Sequence, residues 1–411
     1  MKKIAIINQR YGLEVNGGSE YYARLLAEHL SSYYEVEVLT TTALAYDTWK
    51  AYYREGTEEI NGIKVRRFAV KHSRNMLKFR MINKMAGLLD KAGIHWMDAY
   101  WVKEQGPETP DLIQYMKVHQ EEYDRFLFVT YLYYTTVMGI LEVKDKAILI
   151  PTAHDEPFIY FPIYKEIFRC PKGHLFLTEE EKTFVQKTFH TESIPNDVIG
   201  VGIEIPENMK EEASREKAVL AFREKYGIEK EYLIYAGRVD YGKKCDEMFL
   251  FFQKYKEKHP DDLIQLVVIG KNIMPVPVHP DILYLGFVPE EDKYAGIAGA
   301  RLLWLPSLYE SLSIALLEGM ALSVPGIVNG NCEVLKGHCK KSGGAVYYHN
   351  FDEYEQRMRQ FYEMSEEAYR GMQQRAFAYV ECYYRWNTVE EKIKKMINFE
   401  DDGKKSDGGD L

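Results

Sequence analysis

Short apolar runs alternate along the chain with segments whose apolar residues recur at helical spacing. The run Lys3–Asn8 is followed, after a glycine-bearing loop, by the helical segment Ser19–Leu30. This alternation continues through most of the chain and predicts an α/β fold with buried parallel strands. The other predicted strands are Glu35–Thr40, Ile63–Phe68, Arg125–Thr130, Ala147–Ala153, His174–Thr178, Asp197–Ile203, Tyr232–Gly237, Leu263–Gly270, Ile282–Gly286, Arg301–Leu305 and Val324–Val328.

A charged segment separates two series of strands and helices. This segment, Glu204–Lys217, is polar and rich in charge and is predicted to be a linker. We therefore expect a first Rossmann-like domain over residues 1–204 and a second over residues 205–378. Helices follow over residues 379–399, and the acidic, glycine-rich tail 400–411 is predicted to be disordered.

Composition and charge exclude several classes of protein. The net charge of −9 disfavours a general nucleic-acid binder, because such proteins are usually basic. Five cysteines without a Cys-x-x-Cys pair indicate reduced thiols and a cytoplasmic location, and they lack the ligand spacing of a zinc site. No run approaches the roughly 18 apolar residues of a transmembrane helix.

Two carboxylates frame the helix predicted within Arg301–Pro325. Glu310 precedes this helix and Glu318 lies inside it, a helical separation of roughly 12 Å. The paired carboxylates of a glycoside hydrolase stand closer, about 5 to 9.5 Å apart. We therefore expect Glu310 and Glu318 to bind the two ends of an elongated ligand, such as a nucleotide-sugar. A core helix with two exposed carboxylates is the alternative.

Ser311 and Ser313 fall at the predicted start of the same helix. Serine hydroxyls cap helices well, and the free amides of a first turn attract negative charge. The sequence thus predicts a phosphate-binding turn at this point.

Two candidate groups lie in the first half of the chain. Gly17-Gly18 stand between the first strand and its helix, where glycine lets backbone amides approach a phosphate or sugar closely. A plain turn is the alternative, and the pattern is not the Gly-x-Gly-x-x-Gly of a dinucleotide site. His154 follows a predicted strand end, where open α/β sheets place their ligands; a purely structural histidine is the alternative.

Two cations follow the first strand of the second half. Arg238 and Lys243 lie in its strand-to-helix loop, and together they can neutralise a departing pyrophosphate. Lys244 can take the place of Lys243, and two solvated loop charges are the alternative interpretation.

The segment Lys64–Lys91 is basic within an acidic protein. It holds nine Lys and Arg residues against a single acid, Asp90, with apolar residues interleaved. This pattern is typical of a helix lying on an anionic membrane surface. A solvated helix face packed on the core is the alternative.

Four motifs together resemble a known family. They are Gly17-Gly18, the strand-end pair His154-Asp155, Gly237-Arg238 with Lys243, and Glu310 with Glu318. Their order over residues 1–399 resembles the retaining GT-B glycosyltransferases of family 4. The resemblance implies two Rossmann-like domains facing across a cleft, with C-terminal helices crossing back to the first domain.

The resemblance also implies a role for each candidate residue. Arg238 and Lys243 would stabilise the departing diphosphate, Glu310 would hold sugar hydroxyls, and His154 would sit beside the reacting sugar. Glu318 would bind the ribose. The remaining donor-binding positions would be Gly17 and Gly18 at the diphosphate, Ser311, Leu312 and Ser313 at the sugar or phosphate, and Gly286, Phe287 and Val288 near the base.

The implied activity is retaining transfer of a sugar from a nucleotide-sugar to an acceptor hydroxyl. No cofactor is expected and no metal, because the chain lacks the Asp-x-Asp anchor of metal-dependent transferases. The acceptor would be a glycan or lipid-linked molecule of bacterial surface assembly, reached from the cytoplasm at the inner face of the membrane. Leu312 and Ser313 replace the family's usual aromatic residue and glycine, which can alter the sugar pocket. An epimerase of the same fold, a nucleotide-dependent dehydrogenase and a non-catalytic binding protein are the alternatives.

Overall fold

The computed structural model describes residues 1–15 and 17–399, and the chain divides into two compact units. The first unit comprises Met1–Ile199 together with the described residues from Val389 onward, and the second comprises Gly200–Thr388. Both are α/β units built on largely parallel sheets, which confirms the predicted fold class. The predicted disordered tail lies outside the described residues.

The first unit contains an eight-stranded sheet in the order β3-β4-β2-β1-β5-β6-β7-β8. All neighbours pair in parallel except β3 and β4. The strands are β1 (Lys3–Ile7), β2 (Glu35–Thr41), β3 (Gly56–Ile60), β4 (Ile63–Phe68), β5 (Arg125–Val129), β6 (Ala147–Ile150), β7 (Gly173–Phe176) and β8 (Asn196–Val198). The α-helices are α1 (Gly18–Leu30), α2 (Met76–Lys91), α3 (Asp98–Gln105), α4 (Pro110–His119), α5 (Tyr134–Glu142), α6 (Pro162–Arg169) and α7 (Glu179–Phe189).

The second unit contains a six-stranded, wholly parallel sheet in the order β11-β10-β9-β12-β13-β14. Its strands are β9 (Tyr232–Ala236), β10 (Gln265–Ile269), β11 (Ile282–Gly286), β12 (Leu302–Leu305), β13 (Gly326–Asn329) and β14 (Ala345–Tyr348). Its helices are α8 (Glu207–Lys210), α9 (Glu212–Tyr226), α10 (Cys245–Lys258), α11 (Glu290–Ala298), α12 (Ile314–Ala321), α13 (Glu333–Ser342), α14 (Phe351–Glu363), α15 (Glu366–Tyr383) and the start of α16 (Trp386–Ile397).

The last helix, α16, joins the first unit from Val389 onward. Glu390 Oε1 lies 2.8 Å from His29 Nδ1 of α1, and Lys392 Nζ donates to Val198 O of β8 at 2.6 Å. The C-terminal part of this helix is therefore fixed to the first sheet and to its first helix.

The central strands are buried on both faces, which explains why they appear in the sequence as continuous apolar runs. Ile4–Ile7 of β1 and all of β9 are buried. None of the helices in residues 1–15 and 17–399 combines the length and apolar character that crossing a membrane requires.

The predicted linker is wrong in its conformation. Most of Glu204–Lys217 is helical, in α8 and the beginning of α9. The segment is rich in Glu, Lys and Ala, which are strong helix formers, although only Met209 of α8 and Phe222 of α9 are buried. The segment is therefore polar because its helices are largely solvated.

Candidate functional site

The carboxyl edge of the second sheet brings several predicted residues together. Strand order reverses between β9 and β12, and open α/β sheets bind ligands at such a point, beyond the carboxyl ends of the strands. The loop after β9 carries Arg238 and Lys243, and the loop after β12 carries Glu310. The two candidate loops thus leave adjacent strands at the topological switch.

Lys243 and Glu310 are in direct contact. Lys243 Nζ lies 2.6 Å from Glu310 Oε1, and both side chains are partly exposed. Lys244 instead occupies the N-cap position of α10 in a left-handed conformation, with φ 58°. The structure thus pairs Lys243 with Glu310 and favours Lys243 for the predicted role.

Asp240 links the two cations, and the sequence analysis missed it. Its Oδ2 accepts a hydrogen bond from Arg238 Nε, and its Oδ1 accepts one from Lys243 N at 2.7 Å. Asp240 is buried, so this carboxylate is a fixed element of the loop. Its position between two cations in the sequence was the available signal. The arrangement Arg238–Asp240–Lys243–Glu310 alternates positive and negative groups at the sheet edge.

Ser313 differs from its predicted role as a hydroxyl cap. It occupies the N-cap position of α12, but its side chain makes no capping hydrogen bond, and its φ is 73°. This left-handed conformation is costly for a residue with a Cβ and is the usual place for glycine. The hydroxyl prediction fails because capping through a side-chain oxygen requires an N-cap residue in the extended region.

A buried histidine supports the turn before α12. His338 Nε2 lies 2.7 Å from the carbonyl oxygen of Leu312, so this nitrogen must carry the donated proton. Its Nδ1 lies 3.0 Å from Tyr379 OH. Leu312 and His338 are both buried. The turn containing Ser311, Leu312 and Ser313 is therefore tied to helices α13 and α15.

Glu318 is a buried carboxylate on α12 with two partners from α11. Its Oε1 accepts hydrogen bonds from Lys293 Nζ at 2.8 Å and from Tyr294 OH at 2.9 Å. Its Oε2 makes no hydrogen bond to any residue in the described part of the chain. The carboxylate is thus held in one orientation while one oxygen keeps its capacity to accept hydrogen bonds.

The end of β11 presents an aromatic ring at the same edge. Phe287 is exposed, whereas the following Val288 is buried. Gly286 is the last residue of β11, two strands from β9 in the sheet order. An exposed aromatic ring beyond a strand end can stack against a planar base. The sequence analysis expected Gly286–Val288 to lie near the base.

Gly17 and Gly18 lie at the start of α1 in the first unit. Gly17 is the N-cap residue, and a Cβ there would lie 2.2 Å from Glu20 Oε2. Glu20 is buried and accepts hydrogen bonds from Arg10 Nε at 2.9 Å and Gln9 Nε2 at 2.8 Å. Packing against Glu20 therefore accounts for glycine at Gly17, whereas a Cβ on Gly18 would meet open space.

His154 lies beyond β6 at the carboxyl edge of the first sheet. Its Nε2 is 3.5 Å from Glu156 Oε1, which also accepts a hydrogen bond from Tyr131 OH at 2.5 Å. Burial acts to raise the pKa of Glu156, but the hydrogen bond and charge of His154 outweigh it and lower the pKa overall. Glu156 therefore links His154 to the buried Tyr131.

A second carboxylate braces the backbone beside His154. Glu181 of α7 is fully buried and accepts hydrogen bonds from Ala153 N at 2.5 Å and Leu177 N at 2.6 Å. Burial raises its pKa to about 8. The sequence analysis missed Glu181 because it lies in an acidic run, Glu179–Glu181, that resembles an ordinary first helical turn.

Metal ligation has no candidate cluster in the described residues. Within 1–15 and 17–399, no group of three or more His, Cys, Asp or Glu side chains is placed to hold a metal ion. The five cysteines are free thiols. Independence from metal remains a prediction.

Comparisons with known proteins give a family match and a fold. Residues 219–378 match the model of the family "Glycosyl transferases group 1". A comparison with curated protein sequences finds no significant match.

Solved structures match nearly the whole chain at low sequence identity. Anabaena Alr3699/HepE, solved with UDP and glucose, has a TM-score of 0.69 and 12% identity over 97% of this chain and 100% of its own. Sucrose-phosphate synthase from Thermosynechococcus elongatus has a TM-score of 0.68 and 12% identity, covering 96% and 98%. WaaG, a glycosyltransferase involved in lipopolysaccharide biosynthesis, has a TM-score of 0.63 and 15% identity, covering 97% and 100%. Residues 219–378 thus match the glycosyl transferases group 1 family, and the whole chain has the GT-B fold, so the resemblance read from the sequence is confirmed in its fold and in the family match of the second unit.

Proposed function

We propose that this protein is a glycosyltransferase that moves a sugar from a nucleotide-sugar donor to an acceptor hydroxyl, with retention at the anomeric carbon and without a metal ion. The observation that carries the proposal is the alternating array Arg238–Asp240–Lys243–Glu310 at the switch point of the second sheet. Assignment to family 4 is part of the proposal, and the order of its motifs supports it.

The two cations bind the donor diphosphate and neutralise it as it leaves. A diphosphate carries charge that develops as the glycosidic bond breaks, and fixed positive groups stabilise that charge most when they are already oriented. Asp240 provides the orientation, because it holds the Arg238 guanidinium and the Lys243 backbone at once. The Lys243 ammonium has three protons, so it can keep its contact with Glu310 while it contacts a phosphate oxygen.

The other groups of this edge bind the rest of the donor. Glu310 accepts hydrogen bonds from sugar hydroxyls, and the amides of Ser311–Ser313 meet the sugar or phosphate. Glu318 accepts hydrogen bonds from the ribose through Oε2, the oxygen that Lys293 and Tyr294 leave available. Phe287 stacks on the base. Gly17, Gly18 and His154 remain predicted contacts of the first unit.

The proposed chemistry needs little from side chains beyond position and charge. Departure of the nucleoside diphosphate leaves an oxocarbenium-like sugar, which the acceptor hydroxyl attacks on the face that the diphosphate vacates. A diphosphate oxygen accepts the hydroxyl proton, so the new glycosidic bond forms and the old bond breaks without a protein base. Oriented binding and electrostatic stabilisation then supply the catalysis.

The proposed acceptor is a glycan or lipid-linked molecule of surface assembly. The basic segment Lys64–Lys91 supports a location at the cytoplasmic face of a membrane. An epimerase of the same fold and a non-catalytic nucleotide-sugar binder are the alternatives, and the products distinguish all three.

Product analysis tests the proposal. The protein is incubated with UDP-, GDP- and ADP-sugars in a chelator, and released nucleotide, free sugar and epimerised donor are quantified. Donor hydrolysis or transfer that depends on Arg238, and a product with the donor's anomeric configuration, are expected. Inversion would refute the retaining mechanism, loss of activity in chelator would refute metal independence, and conversion to an epimeric donor would favour the epimerase. Arg359→Ala is the control, since Arg359 is an exposed residue of α14 whose contact, with Glu363 at 3.7 Å, lies within that helix.

A further inference from the structure

Helix α2 turns an apolar stripe toward solvent. Leu77 and Met81 are each 73% exposed, and Met85 and Leu88 are exposed as well. At 100° per residue these four side chains fall within about 80° around the helix axis, so they form one stripe. Isolated exposed apolar residues are common, but a continuous stripe on a charged helix indicates a contact surface.

Contacts on the other side of α2 fix this orientation. Ile82 and Ala86 are the buried residues of the helix. Asn83 Oδ1 accepts a hydrogen bond from Trp101 Nε1 of α3 at 2.8 Å, and Lys78 is paired with Glu104 of the same helix. Since α2 packs on the core through Ile82 and Ala86, the stripe faces outward as a consequence of the fold.

A row of cations borders the stripe on one side. Arg80, Lys84 and Lys91 lie within about 60° of Leu77 around the helix axis. All three are exposed, and none forms an ion pair with any residue of ranges 1–15 and 17–399. The remaining basic residues of the segment are committed elsewhere: Lys64 and Arg66 to Glu37, Arg67 to Glu58, Lys71 to Glu108, Lys78 to Glu104, and Arg74 to Gln105 O.

A tryptophan five residues beyond the end of the helix is also exposed. Trp96 is 73% exposed, and Ile94, two residues before it, is also exposed. The other four tryptophans of the chain, Trp49, Trp101, Trp304 and Trp386, are buried. Exposed tryptophan is characteristic of proteins that contact the interface between lipid headgroups and acyl chains.

We infer that the apolar stripe of α2, with Trp96, docks the protein on the surface of an anionic lipid bilayer. Leu77, Met81, Met85 and Leu88 enter the boundary between headgroups and acyl chains, and Arg80, Lys84 and Lys91 contact lipid phosphates. An apolar stripe beside a basic row is the arrangement of interfacial helices. The net charge of −9 repels an anionic surface, so binding requires this local basic row.

Charge favours lipid over a protein occupant. The one acid of α2, Asp90, lies away from the stripe and contacts His95 at 3.4 Å, so the exposed face is uniformly basic and apolar. A second copy of this chain would have to supply an acidic, apolar counterpart, whereas anionic lipid supplies both components over a continuous area. The inference that the protein docks on lipid rests on these exposures alone. The further idea that docking brings the protein to a lipid-linked acceptor rests on the proposed function.

Vesicle binding by the full chain tests this inference without donor or acceptor. The probes are vesicles of phosphatidylcholine mixed with phosphatidylglycerol, and vesicles of phosphatidylcholine alone. Sedimentation measures binding, and the emission of Trp96 measures insertion. Selective binding to the anionic vesicles is expected, with a blue-shifted emission change that Trp96→Phe abolishes.

Two variants separate charge from insertion. Arg80→Gln/Lys84→Gln/Lys91→Gln is expected to weaken binding by on the order of 100-fold, because each basic residue near the surface contributes about fivefold. Leu77→Ser/Met81→Ser is expected to abolish the emission change. The control is Lys144→Gln/Lys165→Gln/Lys187→Gln, which removes three exposed charges outside α2 and leaves binding unchanged.

Unchanged circular dichroism confirms that each variant is folded, as expected for exposed positions. The inference is overturned if the wild type ignores anionic vesicles, or if both α2 variants bind them as well as the control. It is also overturned if Leu77→Ser/Met81→Ser dissociates an oligomer of the wild type, because a second copy would then be the occupant. Vesicle binding with no sugar transfer would leave docking intact and refute only the proposed function.

Discussion

Glu181 makes the stability of the first unit depend on pH. Burial raises its pKa from an ordinary value of 4.5 to about 8 in the folded protein. A raised folded pKa means that the folded state binds a proton more tightly than the unfolded state. The contribution to stability is therefore fully present below pH 4.5 and is lost as the pH rises through about 8.

A second buried group acts in the opposite direction at lower pH. Burial lowers the pKa of His174 from 6.5 to about 4, so its contribution is present above pH 6.5 and is lost as the pH falls toward 4. Glu181 and His174 thus oppose each other below pH 6.5. Above pH 6.5, only Glu181 of these two groups changes the stability. The interval from pH 6.5 to its folded pKa of about 8 corresponds to about 2 kcal/mol of unfolding free energy.

The assay compares wild type with Glu181→Gln in urea unfolding between about pH 6.5 and 9. Wild type is expected to lose about 2 kcal/mol of unfolding free energy relative to the variant over this interval. The variant also carries an offset that does not depend on pH, because glutamine offers one acceptor oxygen to the two amides of Ala153 and Leu177. The difference in slope, not the offset, is the quantity predicted.

The exposed neighbour Glu179 provides the control, because Glu179→Gln removes a carboxylate from the same helical turn without burial. Its slope should match that of wild type. A wild-type stability that stays level or rises relative to Glu181→Gln would refute the reasoning, because the two amide hydrogen bonds would then outweigh burial.

Four further predictions concern the second unit and helix α2. Gly270→Ala should cost about 3 kcal/mol or more in unfolding free energy, because its Cβ would lie 1.9 Å from Gly237 O and its φ is 134°; a smaller loss would show that β9 and β10 can separate. Gly87→Ala should instead raise the unfolding free energy by up to about 1 kcal/mol, because a Cβ at this position of α2 meets open space and alanine favours the helix. A lower unfolding free energy would contradict a helical conformation at Gly87. Glu318→Gln should weaken nucleotide binding but leave binding of inorganic diphosphate unchanged, measured by calorimetry. Phe287→Ala should weaken nucleotide binding by on the order of 10-fold, from a stacking contribution of about 1 to 3 kcal/mol; equal loss for diphosphate would contradict stacking.

The sequence predicted the buried strands because parallel strands covered on both faces must be apolar throughout. β9 and β12 were found for this reason. β3 was missed because it is an edge strand whose residues Thr57, Glu58 and Glu59 are exposed, and no apolar period marks it. The helical start of the second unit was missed because its residues are polar on nearly all sides.

The sequence predicted those residues of the candidate site that stand out by their charge. It did not predict those whose role depends on backbone conformation or on tertiary contacts. Arg238, Lys243 and Glu310 stand out as charged groups after strand ends, and the fold places their loops on adjacent strands. The Leu312–His338 contact joins residues 26 positions apart, so only the folded chain reveals it. Ser313 shows the opposite error, since its hydroxyl suggested a cap while its backbone conformation excludes that role.

The donor site in the second unit is tested most directly by thermal unfolding with UDP, GDP and ADP. A nucleotide at about 100 times its dissociation constant adds roughly 2.7 kcal/mol to the stability of the state that binds it. One of the three is expected to raise the melting temperature of wild type and of Arg359→Ala, and to raise that of Arg238→Ala much less. Equal stabilisation of Arg238→Ala, or no stabilisation of wild type by any of the three nucleotides, would contradict the assignment of the donor site to the Arg238–Asp240–Lys243–Glu310 array.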